Sequence, residues 1–88
     1  MQMDGWLPEK FRNRVRNEGG GGIAGLHRRC VQESLERYST VALAPAIETL
    51  RSWTRQNSKG PSLREHVDVL CAVLDVEPNY FRTVGTRQ

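Results

Sequence analysis

The side chains able to carry covalent or metal chemistry are few: Cys30, Cys71, His27 and His66, with Asp68 and Asp75 as helix-borne carboxylates. Zinc needs four such ligands, usually in two closely spaced pairs, and the two cysteines stand 41 positions apart. Cys30 beside Val31 and Cys71 beside Leu70 fall on helical apolar stripes. Two cysteines far apart in a chain without an export signal read as reduced core thiols rather than a disulfide. His66, next to Val67, reads as a partly exposed helical residue. Asp68 and Asp75 have no evident acid/base partner. The chain contains no nucleophile elbow, His-Glu-x-x-His run or dinucleotide fingerprint. Gly19–Gly22 does not read as a phosphate-cradling loop, because no Gly-Lys-Ser/Thr follows it and no strand pattern precedes it. The residues argue against an enzyme and imply no cofactor and no metal.

The chemistry that remains is charge. The chain has a formal net charge of +3. The stretch 44–64 carries Arg51, Arg55, Lys59 and Arg64 against Glu48 alone, while 65–88 is net acidic. Clustered cations of this kind suit phosphate contact, with a solvated basic face as the plain alternative. By residue type, Arg51, Arg55, Asn57, Lys59 and Arg64 are the candidates to hold a nucleic-acid backbone. His27, Arg28 and Arg29 could also reach phosphate, although a solvated face is the plainer explanation.

These residues need elements to position them. At 88 residues and 38% apolar content, the chain is one small domain near the size where a single core is marginal. Met1–Trp6 reads as a tail pinned by Trp6 or Leu7. Pro8 opens a short, charge-dense helix through Phe11 and Val15 to about Asn17. Gly19–Gly22 then forms a flexible joint. Ile23, Leu26, Cys30, Val31, Leu35 and Tyr38 recur at helical spacing and predict a helix over 23–38. A turn at 39–43 leads to a helix over 44–55 with Pro45 in its first turn, anchored by Ile47 and Leu50. Gln56–Pro61 is a polar loop. Ser62 as N-cap and Glu65 three residues later predict a capping box, followed by the stripe Leu63, Val67, Leu70, Cys71 and Leu74. A further short helix is expected to open at Pro78. The organisation is therefore a tail and short helix at 1–18, a joint at 19–22, a domain at 23–83 and a tail at 84–88. The fold class is all-α, with four to five short helices around one core of Val31, Leu35, Ile47, Leu50, Val67, Leu70, Leu74, Tyr80 and Phe81. No segment approaches the apolar length of a membrane span. The N-terminus lacks a basic region followed by an apolar core, so the expected compartment is cytoplasmic.

From Leu43 to Phe81 the order of elements resembles the second half of the λ-repressor-like (XRE) helix-turn-helix domains. The resemblance is carried by the turn Gly60-Pro61-Ser62-Leu63 and by the finish Leu74-Asp75-Val76-Glu77-Pro78-Asn79-Tyr80-Phe81. Together with Ala44-Pro45, Leu50-Arg51-Ser52, Arg55 and Asn57, it looks closest to the nucleoid-associated, secretion-regulating branch. It implies a helix-turn-helix fold with the 44–55 helix in the major groove of double-stranded DNA. Ala44, Pro45, Glu48, Thr49 and Ser52 would then face the bases. In the turn, Ser39 is the nearest equivalent of the glycine common in the family. The resemblance also implies a nucleoid-associated location. The additional C-terminal dimerisation segment of that branch is expected to be missing, which leaves the N-terminal helix or the Tyr80–Phe81 face for a homodimer.

The groove-facing set contains no arginine, glutamine or asparagine, the side chains that discriminate bases best. The expected function is thus a DNA-binding transcriptional regulator or small nucleoid-type protein of low sequence specificity. The alternative is a protein-interaction module, an antirepressor or adaptor, that keeps the fold without the readout. Trp53 either caps the core under the loop or stands exposed as an interface anchor, the latter bearing on the second reading.

Overall fold

Pro8 occupies the first position of helix α1 (Pro8–Glu18), where its missing N–H costs nothing and Glu9 complements the helix dipole. A computed structural model of the chain describes residues 5–18 and 21–83. The tail expected at 84–88, the first residues of the N-terminal tail, and Gly19 and Gly20 of the joint lie outside the described residues. Helix α2 (Gly22–Tyr38) starts after Gly21, whose φ of 90° is left-handed, and ends at Ser39, also left-handed at φ 62°. The Ser39 N–H closes the helix end on the Leu35 carbonyl. A serine thus takes the conformation that glycine usually supplies at this position. Helices α3 (Ile47–Ser52) and α4 (Arg64–Leu74) follow, and α2 packs against α1, α3 and α4. Two-residue strands β1 (Gly5–Trp6) and β2 (Arg82–Thr83) pair antiparallel, Gly5 opposite Thr83 and Trp6 opposite Arg82. The described residues are thus mostly helical, consistent with an all-α class.

The helix expected over 44–55 is shorter at both ends. Ala46 is extended at ψ 160° and Pro45 lies outside the helix, so winding begins at Ile47. At the other end the hydroxyl of Ser52 donates to the Thr49 carbonyl, and that of Thr54 to the Arg51 carbonyl. Such local side-chain bonds compete with regular helix. Here the chain continues as turns that draw Trp53 into the core.

The capping box does not form. The N-cap of α4 is Leu63, with no side-chain cap bond, and Ser62 lies exposed one residue earlier. The register is set upstream, where buried Pro61 offers its carbonyl to Arg82 Nη2 at 2.7 Å. Nor does a helix open at Pro78. Residues 78–81 make turns that hand the chain to β2.

The core gathers Trp6, Phe11, Val15, Leu26, Cys30, Leu50, Trp53, Val69, Leu70, Leu74 and Phe81. Leu50, Leu70, Leu74 and Phe81 were expected there. Val31, Ile47, Val67 and Tyr80 are half-buried instead, and Leu35 is 48% exposed. The cause lies on α2, whose buried line is Leu26, Cys30 and Ser34 at four-residue steps. Ser34 is fully buried because its hydroxyl donates to the Thr40 carbonyl, pinning the following turn to the helix. That rotates Leu35 outward. At the opposite end the rings of Trp6, Phe11, Trp53 and Phe81 pack edge to face or tilted, with centroids 5.4 to 6.3 Å apart. Contacts of this geometry add about 0.5–1.5 kcal/mol each beyond burial.

Candidate nucleic-acid interface

α3 and the segment joining it to α4 carry the predicted cations, and all are exposed. Arg51 pairs with Glu48 at 3.6 Å one turn away, with side chains 58% and 78% exposed. An ion pair this open contributes little and yields readily to a phosphate. Arg55, Asn57, Lys59 and Arg64 are exposed. The side chains of Arg55, Lys59 and Arg64 make no hydrogen bond or ion pair among the described residues. Their backbone is nonetheless held. Ser58 N–H donates to the Arg55 carbonyl, Gly60 N–H to the Ser58 hydroxyl, and Arg82 reaches the Lys59 and Pro61 carbonyls. The cations therefore stand on an ordered ledge rather than a loose polar loop.

The five positions that the resemblance turns toward bases fare differently. Pro45 is fully buried and Ala44 is half-buried against the core, so Pro45 presents no surface and Ala44 little. This proline wedges into the core instead of opening an exposed first turn. Ser52 and Thr49 are half-buried, and the Ser52 hydroxyl is spent on the Thr49 carbonyl at 2.6 Å. Glu48 is open. Glu48 and the Thr49 hydroxyl are the groups left to touch a base edge.

One neighbour of this ledge was not legible in the sequence. Arg12 of α1 donates through Nη1 to the Thr54 carbonyl, and clefts between α1 and the chain after α3 are bounded by Arg12 with Gln56, and by Arg12 and Arg16 with Thr54. The glycines between α1 and α2 hide this approach, and its one local signal is the Phe11 and Val15 pair that seats α1. Arg14 points elsewhere, donating to the Leu74 carbonyl at 2.8 and 3.3 Å at the C-terminal end of α4.

The reactive groups are quiet. Burial pushes the Cys30 thiol up to about 12, and burial with nearby Asp68 pushes Cys71 up to about 11. Both are free and protonated at neutral pH, and neither is a nucleophile or metal ligand in that form. Partial burial lowers the His66 pKa, opposed by Glu65, and its ring stands 6.0 Å from that of Trp53. Trp53 itself is buried, which fits its reading as a core cap. Among the described residues no three or more His, Cys, Asp or Glu side chains gather as a metal would require. No described helix is long and apolar enough to cross a membrane. No family model, curated protein or solved structure matches the chain.

Proposed function

We propose that the protein is a DNA-binding regulator or small nucleoid-type protein of the helix-turn-helix kind, holding duplex DNA chiefly through its phosphates. The observation that carries this reading is the exposed group Arg51, Arg55, Lys59 and Arg64 on an ordered ledge. In this reading α2, the 39–46 connection and α3 form the helix-turn-helix pair. The left-handed Ser39 supports it as the residue that turns the chain. With Glu48 and Thr49 as the remaining readers, discrimination between sequences is small.

Fluorescence anisotropy on two unrelated duplexes over a salt series tests it. Both duplexes should bind with similar affinity, with a log–log salt slope of about −0.9 per neutralised phosphate. Arg55→Ala and Lys59→Ala should each weaken both duplexes alike and make that slope shallower by about one unit. Failure to bind either duplex at low salt overturns the reading. A protein-interaction module is the second reading, favoured by the apolar surface that Leu35 at 48% and Val41 at 53% exposure leave open.

A further inference from the structure

A groove of about 340 Å³ lies between α1 and the first turn of α2, lined by Arg12, Val15, Arg16, Gly22, Ile23 and Thr54. Its apolar lining is Val15, almost wholly buried, and Ile23, half-buried. Gly22 adds no side chain, and a Cβ built there would meet no atom within 4 Å, so the groove stays open beside it. Arg12 and Arg16, one helical turn apart on α1, are exposed along one side. Arg12 spends part of its planar fork on the Thr54 carbonyl. Arg16 makes no hydrogen bond or ion pair among the described residues. None of the described lining residues is acidic.

Phosphate alone does not use such a site. A nucleic-acid backbone would satisfy the two guanidinium groups and gain nothing from Val15 and Ile23, and a hollow this small does not admit a duplex. A peptide with an apolar side chain between carboxylates uses both halves. The apolar group leaves water against Val15 and Ile23, and the carboxylates meet arginine forks, whose planar geometry matches them. We propose that this groove docks a short acidic segment of a partner protein. A side chain of leucine or phenylalanine size rests on Val15 and Ile23, and its flanking carboxylates pair with Arg12 and Arg16. The groove borders the proposed DNA contacts at Thr54 but uses none of Arg51, Arg55, Lys59 or Arg64.

Calorimetry and backbone amide shifts test it, with the synthetic peptide Asp-Glu-Phe-Asp-Glu as probe, the same peptide with serine in place of phenylalanine, and the two unrelated DNA duplexes. The phenylalanine peptide should bind saturably and shift the amides of Arg12, Arg16, Gly22 and Ile23. The serine peptide should bind about tenfold more weakly. Arg16→Glu should weaken the phenylalanine peptide by about tenfold while its unfolding midpoint stays unchanged and its DNA affinity falls no further than in Arg55→Ala, alike on both duplexes. Arg16→Gln should lie between. No saturable binding, equal binding of the two peptides, or indifference to Arg16→Glu overturns the proposal. Loss of DNA binding in Arg16→Glu with the peptide unaffected assigns the groove to nucleic acid and overturns it as well. Peptide binding without any DNA binding would remove the DNA reading and leave this one standing.

Discussion

The indole N–H of Trp6 donates to the carbonyl of Trp53 at 2.8 Å, inside the core and across 47 residues of chain. Trp53 is the C-cap of α3, so the N-terminal strand closes the end of the helix that carries the candidate site. Trp6→Phe keeps most of the ring and deletes the donor, leaving a buried carbonyl unpaired. It should cost about 1–3 kcal/mol, read as a lower denaturant midpoint with an unchanged slope.

Gly60 lies against the same indole. A Cβ at Gly60 would stand 2.4 Å from Trp6 Cδ2, and the backbone there is left-handed at φ 73°. Gly60→Ala should therefore cost on the order of 3 kcal/mol through overpacking and backbone strain together. Ser62→Ala, two residues on, should change stability by less than about 0.5 kcal/mol, because Ser62 is exposed and makes no cap bond. Thermal melts of the two variants side by side check both. A large loss at Ser62 would mean that the capping box forms in solution.

That contrast shows where the sequence was readable. α1 and α2 were legible because Pro8 marks a start and the apolar residues after Gly22 recur at helical spacing. α3 is shorter than its sequence suggests because Ser52 and Thr54 look compatible with a helix, while their hydroxyls capture its carbonyls. The cap of α4 falls at Leu63, one residue past Ser62, where Arg82, distant in sequence, holds the preceding Pro61. The aromatic end of the core was underestimated. Phe11 sits among arginines in a segment set off by glycines, and its partners Trp53 and Phe81 come from far along the chain. The cations of the site were legible by type. The burial of Pro45 was not, since proline before a helix is as often exposed, and Ser34 gave no hydrophobic signal at all.

Stability should fall at high pH through the two thiols. In the unfolded chain they lose protons near 9.0, whereas in the folded chain they hold them to about 12 at Cys30 and about 11 at Cys71. Above pH 9 the unfolded state binds fewer protons than the folded one, so the stabilisation present below that pH is lost as pH rises through this window. Denaturant titrations from pH 8 to pH 11 should show the loss, and a double Cys30→Ala, Cys71→Ala variant should show a flatter profile. At pH 8 both thiols should react with a thiol reagent at the rate of global unfolding.

His66 works at the other limb. Its folded pKa lies below the ordinary 6.5, because burial outweighs the pull of Glu65. As pH falls below 6.5 the unfolded state takes up the proton first, and stability declines until the folded ring is protonated too. The ring faces Trp53, so tryptophan fluorescence should titrate with it. His66→Gln should abolish that titration.

Glu48 offers a sign-reversed test of the DNA reading. It is open to solvent and pairs with Arg51, so Glu48→Ala removes a negative charge beside the exposed cations and releases Arg51. Binding to unrelated duplexes should tighten, most at low salt. Weaker binding that depends on the duplex would instead identify Glu48 as a reader of cytosine.

The pairing of β1 with β2 also has a mechanical consequence. The two strands run antiparallel, with Gly5 opposite Thr83, so these two residues form the same end of the ladder. Tension applied between the two ends peels the rungs one after another instead of shearing them together. The first piece to yield is then the strand bearing Trp6, lifted off its aromatic neighbours while the packing of α2 with α3 and α4 still holds.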